Sequence, residues 1–93
     1  MLESQIERVL KTEVEKRGAK ARKFVSPGWA GAPDRIILFP GGRVVFVELK
    51  APQRIMRPLQ KKRAAELRDL GFKVYSINSL ERIKKFIAEV FPE

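Results

Sequence analysis

The stretch that decides the fold is residues 33–50, Pro-Asp-Arg-Ile-Ile-Leu-Phe-Pro-Gly-Gly-Arg-Val-Val-Phe-Val-Glu-Leu-Lys. Residues 35–39 and 43–49 are rich in β-branched and aromatic side chains and flank Pro40-Gly41-Gly42, so they predict a β-hairpin. The second segment contains Val44-Val45-Phe46-Val47 without polar alternation, which indicates that both of its faces are buried. We therefore expect a sheet built around this hairpin.

The open end of the hairpin carries Asp34, Glu48 and Lys50. A turn at residues 40–42 pairs Ile37 with Val45, and the same register sets Asp34 opposite Glu48, with Cβ atoms about 5 Å apart. Lys50 projects from the same face as Glu48 because side chains alternate along a strand. Facing carboxylates repel each other, but Mg²⁺ or Mn²⁺ bound between them makes the arrangement favourable. The hairpin thus favours a catalytic metal site over solvated strand ends, with the metal polarising a phosphate.

Apolar spacing and turn residues predict the elements on both sides of the hairpin. These are a helix over 2–17, an edge strand over 23–26, a helix over 58–70 with Leu59, Ala64, Leu67 and Leu70 on its inner face, a strand over 72–77, and a last helix after Asn78 and Glu81, which have capping-box spacing. A strand, a crossover helix and another strand add a parallel pair to the antiparallel hairpin. The fold class is α/β, a mixed sheet flanked by helices.

Composition limits the function classes. The 93 residues make one domain, residues 1–93, and 20 Lys+Arg against 11 Asp+Glu give a formal charge of +9, which favours a polyanionic partner. Cysteine and histidine are absent, so catalysis must use carboxylates, lysine, hydroxyls or a hard metal held by oxygen. No apolar run is long enough to cross a membrane and no signal-peptide pattern precedes the first helix, so we expect a cytoplasmic or nucleoid protein in a bacterial or virus-infected cell.

The motifs resemble the PD-(D/E)XK nuclease superfamily and, more closely, its virus-type replication-repair nuclease (VRR-NUC) family. The matching stretches span nearly the whole chain and are Ser26-Pro27-Gly28, Gly31-Ala32-Pro33-Asp34-Arg35, residues 42–50, and Gln60 followed by Leu67, Gly71 and Val74. The resemblance implies a restriction-endonuclease-like αβββαβ core, here with an extra C-terminal helix. It also implies Mg²⁺- or Mn²⁺-dependent hydrolysis of phosphodiester bonds.

The resemblance assigns roles to individual residues. It implies that Asp34 and Glu48 bind metal together with the main-chain carbonyl of Leu49, and that Lys50 is catalytic. It further implies a glutamate in the first helix, which matches Glu3, and a glutamine in the helix after the lysine, which matches Gln60. Glu7 lies one turn after Glu3 on the same face, so the sequence leaves both glutamates open.

Short members similar to this chain imply a homodimeric endonuclease that cuts branched DNA, including four-way (Holliday) junctions, in repair or recombination. Cleavage of flapped, nicked or duplex DNA by the same fold is an alternative. A non-catalytic basic DNA-binding protein is a second alternative, disfavoured because all three central site residues are present.

Cations after the site predict a phosphate-binding surface. They are Arg54, Arg57, Lys61 and Lys62, with Arg63 and Arg68 further along the same helix. Nothing indicates readout of bases, so backbone and shape recognition is expected. Trp29 and Met56 flank the site in loops and have three possible roles: packing on the core, stacking on a base, or a dimer interface.

Overall fold

The computed structural model describes residues 1–92. Its elements are α1 (Glu3–Glu15), β1 (Lys20–Lys23), β2 (Arg35–Leu38), β3 (Val44–Leu49), α2 (Pro58–Asp69), β4 (Lys73–Ile77) and α3 (Leu80–Val90). The predicted αβββαβ order with a further C-terminal helix is confirmed. No helix in residues 1–92 is both long enough and apolar enough to span a membrane.

The four strands form one mixed sheet in the order β1-β2-β3-β4. β2 pairs antiparallel with both β1 and β3, whereas β3 and β4 run parallel. Ile37 pairs with Val45, as the turn predicted, and the β2–β3 ladder ends at Arg35 opposite Val47. One step further in this register lie Asp34 and Glu48, at the end of the sheet away from the turn.

Strand β3 is central and separates two apolar clusters. Val45, Val47 and Leu49 pack with residues of α1 and α3 on one face. Phe46 packs with Ala64 and Leu67 of α2 on the other face. All of β3 except the half-buried Val44 is buried, which explains its unbroken apolar sequence. Glu48 alternates with Val47 and therefore lies on the α2 face.

The first strand lies earlier in the chain than predicted. It is Lys20–Lys23, and Val25, inside the predicted strand 23–26, is 76% exposed. Gly18, at φ +90°, turns the chain out of α1, so pairing with β2 begins almost immediately. The buried residues here are the small Ala19 and Ala21, which carry too weak an apolar signal to mark a strand.

Two helix predictions need correction. In α2 only Ala64 and Leu67 are buried, while Leu59 and Leu70 are 41% and 74% exposed. At 3.6 residues per turn these two leucines lie roughly 90–110° around the helix from the midpoint of the buried pair. The inner face of α2 is therefore narrower than expected.

The cap of α3 is Ser79 rather than Asn78. The Ser79 Oγ accepts a hydrogen bond from the Arg82 N–H at 3.1 Å, which satisfies one of the free donors of the first turn. Asn78 instead donates from its Nδ2 to the carbonyl oxygen of Arg54 at 2.9 Å. It ties the loop after Lys50 to the sheet.

Candidate active site

Asp34 and the end of β3 are joined by one hydrogen bond. The main-chain N–H of Leu49 donates to Asp34 Oδ1 at 3.1 Å. On the other side of β3, the Lys50 N–H donates to the Ile77 carbonyl at 2.9 Å. Residues 48–50 are thus held between the loop before β2 and the end of β4, so the site rests on rigid sheet backbone.

Glu48 is a buried carboxylate, only 4% exposed. Its Oε2 accepts a hydrogen bond from Gln60 Nε2 at 2.9 Å and lies 3.5 Å from Lys50 Nζ. Its Oε1 is buried and has no hydrogen-bond partner in residues 1–92. A buried charged oxygen without a partner is costly, so Glu48 has an acceptor available for a ligand.

The electrostatics of the two acids are unfavourable in the protein alone. Burial raises the pKa of Glu48 to about 7, and the neighbouring charge of Asp34 adds to the shift, while Lys50 opposes it. Burial also raises the pKa of Asp34 above its ordinary value, against the effect of the Leu49 N–H bond. For both carboxylates, burial thus outweighs the favourable contacts that they make within the protein.

Gln60 links the helix start to the site. Its Oε1 accepts from the main-chain N–H of Arg57 at 2.8 Å, and its Nε2 donates to Glu48. The first contact caps the N-terminus of α2, and the second fixes one Glu48 oxygen. The structure thus brings Gln60 to the predicted acidic pair.

The structure separates the two glutamates of α1. Glu7 forms an ion pair with Arg35. Glu3 is exposed, yet its negative charge contributes to the raised pKa of both Asp34 and Glu48. Of the two glutamates, Glu3 is the one whose charge acts on the acidic pair, while Glu7 is engaged with Arg35.

Known proteins resemble this chain in fold and in sequence. A solved structure described as "VRR_NUC domain" has a TM-score of 0.85 to this chain, with 28% sequence identity over 96% of each chain. "Putative nuclease p44" of Acyrthosiphon pisum secondary endosymbiont phage 1 is 46% identical over 77 residues, 83% of each protein. The chain belongs to the VRR-NUC nuclease family. No protein-family model matches it.

The acidic pair of this VRR-NUC protein fits a hard divalent cation. Nucleases with this fold generally use a divalent metal ion. Here the unpartnered Glu48 Oε1 and the repulsion between Asp34 and Glu48 are what such an ion would relieve. No group of three or more acidic side chains forms a metal cluster within residues 1–92. Two carboxylates, the Leu49 carbonyl and water oxygens would have to supply the ligands.

The predicted phosphate-binding residues fall into two groups. Arg54, Arg57, Lys61 and Lys62 are exposed, and none forms an ion pair with a carboxylate of the described chain. These four remain available for a polyanion.

The other two cations of α2 are occupied within the protein, so their prediction as phosphate-facing residues is not supported by the geometry. Arg63 Nε donates to the Ala30 carbonyl at 2.8 Å, and its Nη1 binds Glu66 at 3.0 Å. Arg68 Nη2 donates to the Val74 carbonyl at 2.7 Å. Both guanidinium groups tie α2 to its neighbours.

Trp29 and Met56 pack against the cluster of Phe46, Ala64 and Leu67. The Arg63 guanidinium also lies over the Trp29 ring, 5.6 Å from its centroid. Of the three roles left open by the sequence, packing on the core is the one that these contacts favour.

Arg35 is a site residue that the sequence patterns did not single out. It is only 9% exposed, pairs with Glu7, and donates from Nη1 to the Asp34 carbonyl at 3.1 Å. It therefore ties α1 to the main chain of Asp34. The sequence feature that could have indicated its role is the position of this arginine, directly after Asp34 and at the start of a predicted strand.

Proposed function

We propose that this protein is a divalent-metal-dependent endonuclease that cuts branched DNA, with four-way junctions as its substrate class. The observation that carries the proposal is Glu48, a carboxylate buried beside Asp34 with one oxygen that no described residue satisfies. A purely structural residue at this position gains nothing from such burial. In a basic protein of the VRR-NUC family, a metal-binding and phosphate-cutting role accounts for it.

Each site residue has a role in hydrolysis under this proposal. When bound, Mg²⁺ or Mn²⁺ supplies Lewis-acid activation of the scissile phosphate and lowers the pKa of the attacking water. Asp34, Glu48 and the Leu49 carbonyl hold the ion, and Gln60 keeps Glu48 in one orientation. The Lys50 ammonium faces the same side of β3 and neutralises negative charge that develops on the phosphate in the transition state.

The exposed cations of α2 and its preceding loop support a DNA substrate. These cations follow Lys50 along the chain and lie on both sides of Gln60 in the sequence: Arg54 and Arg57 before it, Lys61 and Lys62 after it. Contacts of this kind are made to phosphates and carry no base information, which fits recognition by DNA shape. A symmetric junction requires two symmetric cuts, so the proposal includes a two-fold dimer.

The test is cleavage of four-way junction, flap, nicked and linear DNA in Mg²⁺, Mn²⁺ or Ca²⁺. We expect cleavage of the junction with Mg²⁺ or Mn²⁺, and binding with little turnover in Ca²⁺. Asp34→Asn keeps an oxygen for the Leu49 N–H but removes the charge, and Lys50→Ala removes the ammonium. Each substitution should lower the cleavage rate by roughly a hundredfold to a thousandfold, as losses of groups acting in the transition state do, while junction binding survives.

Asp69→Asn and Lys84→Ala are the matched controls, because each removes the same type of charge from an exposed position and should leave cleavage unchanged. Full activity of Asp34→Asn or Lys50→Ala would refute the site assignment. Preferential cleavage of flap, nicked or linear DNA would contradict the proposed substrate class and identify that DNA as the substrate. Binding without cleavage of any substrate would show that the protein is a non-catalytic DNA-binding protein.

A further inference from the structure

A second basic surface lies at the β1 edge of the sheet, where α1 passes over the strand. A groove of about 470 Å³ there is lined by four cations, Lys11, Arg22, Lys23 and Arg35, and by one acid, Glu7. Strand β1 itself, Lys-Ala-Arg-Lys, has cationic side chains at every position but one. The groove is therefore concave and positively charged, which are the features that concentrate a polyanion.

The charges of this groove are not neutralised by the protein. Glu7 pairs with Arg35, which is buried. Lys11, Arg22 and Lys23 are exposed and form no ion pair with a carboxylate of residues 1–92. Just after α1, by contrast, Lys16 and Arg17 both contact Glu13. Lys23 pairs with Arg35 on the α1 face of the sheet, whereas Arg22 pairs with Ile36, which packs on the other face. Lys11 and Lys23 are thus the cations of the α1 side that are left for an external partner.

The groove begins beside the active site. Lys23 directly precedes Phe24, whose N–H donates to the Asp34 carbonyl at 2.9 Å. Arg35, in the groove wall, donates to the same carbonyl at 3.1 Å. A DNA strand that runs from the acidic pair towards β1 would therefore pass close to Lys23.

The groove and the α2 cations lie on different sides of the molecule. α1 covers the sheet face opposite to α2, and α2 lies towards β4, the far edge from β1. Across the four strands, the two edges are about 14 Å apart at the usual strand spacing. DNA bound at the acidic pair would therefore have one of these surfaces on each side of it.

We propose that the α1–β1 groove binds the phosphates of a second DNA arm through Lys11 and Lys23, while the α2 cations bind the phosphates of the first arm. This inference rests on the proposed function and gives it a physical basis for choosing branched over linear DNA. Lysine and arginine on an edge strand also prevent strand-to-strand association. That role alone requires neither Lys11, which lies on the helix, nor any preference among DNA shapes.

The experiment measures the affinity of the full chain, in EDTA, for a four-way junction and for a linear duplex of equal base-pair number, over a range of salt concentrations. The variant is Lys11→Gln with Lys23→Gln, and the control is Lys84→Gln with Lys85→Gln, two exposed cations of α3. For the junction, the groove variant should lose about 1 to 2 units from the log-log salt slope, since each phosphate contact contributes about 0.9. The linear duplex and the control should change little.

Two results overturn the inference. One is a groove variant whose junction affinity and salt slope match those of the control; the other is an equal loss on junction and linear DNA. The proposed nuclease function fails separately, if wild-type protein binds the junction as described but cuts no DNA with Mg²⁺ or Mn²⁺. Thermal unfolding of each variant verifies that the protein used in the binding assay is folded.

Discussion

At the scale of single residues, Glu48 holds a proton more tightly in the folded protein than in the unfolded chain. Its pKa is raised from 4.5 to about 7. Folding is therefore favoured by the bound proton, and without metal this residue costs increasing stability as the pH rises from about 4.5 through 7. Below that range the carboxyl is neutral in both states and the cost disappears.

We predict that Glu48→Gln raises the melting temperature of the metal-free protein at pH 8 and has a smaller effect at pH 5. The amide removes the repulsion with Asp34 and can still accept the Gln60 hydrogen bond. The gain is at most about 3 kcal/mol, which corresponds to at most roughly 10–20 °C in Tm for a chain of this size. Thermal unfolding in EDTA at both pH values measures it, and a lower Tm at pH 8 would contradict the facing arrangement of the acids.

Gln60 joins a helix cap to the acidic pair, so its loss should affect chemistry beyond stability. We predict that Gln60→Ala slows single-turnover cleavage by roughly tenfold or more, because a hydrogen bond to a charged group contributes about 1.5–3 kcal/mol. Gln5 is the matched control: its Oε1 caps α1 by accepting from the Leu2 N–H. Gln5→Ala should lower Tm modestly and leave the cleavage rate intact; similar rates for the two variants would argue against a positioning role of Gln60.

At the scale of elements, the position of the first turn of α2 depends on a glycine in the loop between β1 and β2. Gly31 has φ +85°, and a Cβ built on it would lie 2.7 Å from Leu59 Cγ and 3.1 Å from the Leu59 main chain. Leu59 is the neighbour of Gln60. The close approach of this loop therefore determines where the glutamine meets Glu48.

We predict that Gly31→Ala destabilises the protein and slows cleavage, because α2 must shift away from the new methyl group. Gly28→Ala is the control, since Gly28 has φ +78° but nothing within 4 Å of its built Cβ. The control should show only the conformational cost of about 1–2 kcal/mol. Thermal unfolding, and cleavage at a temperature where both variants are folded, separate the effect on stability from the effect on cleavage. Equal activity of the two variants would show that Gly31 does not position α2 for catalysis.

The element scale also shows why some sequence predictions failed. The β1 boundary was wrong because Ala19 and Ala21, its buried residues, are small. The inner face of α2 was wrong at Leu59 and Leu70 because only Ala64 and Leu67 are buried against the sheet. In both cases the strongest local apolar signal lay beside, and not on, the packed surface.

At the scale of the whole molecule, the sheet divides the protein into two faces that meet at the acidic pair. α1 and α3 cover one face and bring Glu3 to the edge of the site, while α2 covers the other and brings Gln60. Asp34, Glu48 and Lys50 lie where the ends of β2 and β3 meet. The site is thus assembled from every layer of the fold.

The sequence by itself determined the hairpin, its register and the convergence of Asp34, Glu48 and Lys50, because these depend on a short turn and on the two-residue period of a strand. Only the tertiary structure decided that Gln60 contacts Glu48, that Glu7 pairs with Arg35, and that Arg63 and Arg68 donate hydrogen bonds to main-chain carbonyls. Those contacts depend on how far each helix is rotated and shifted against the sheet. That placement follows from the packing of residues distant in sequence, which no local pattern encodes.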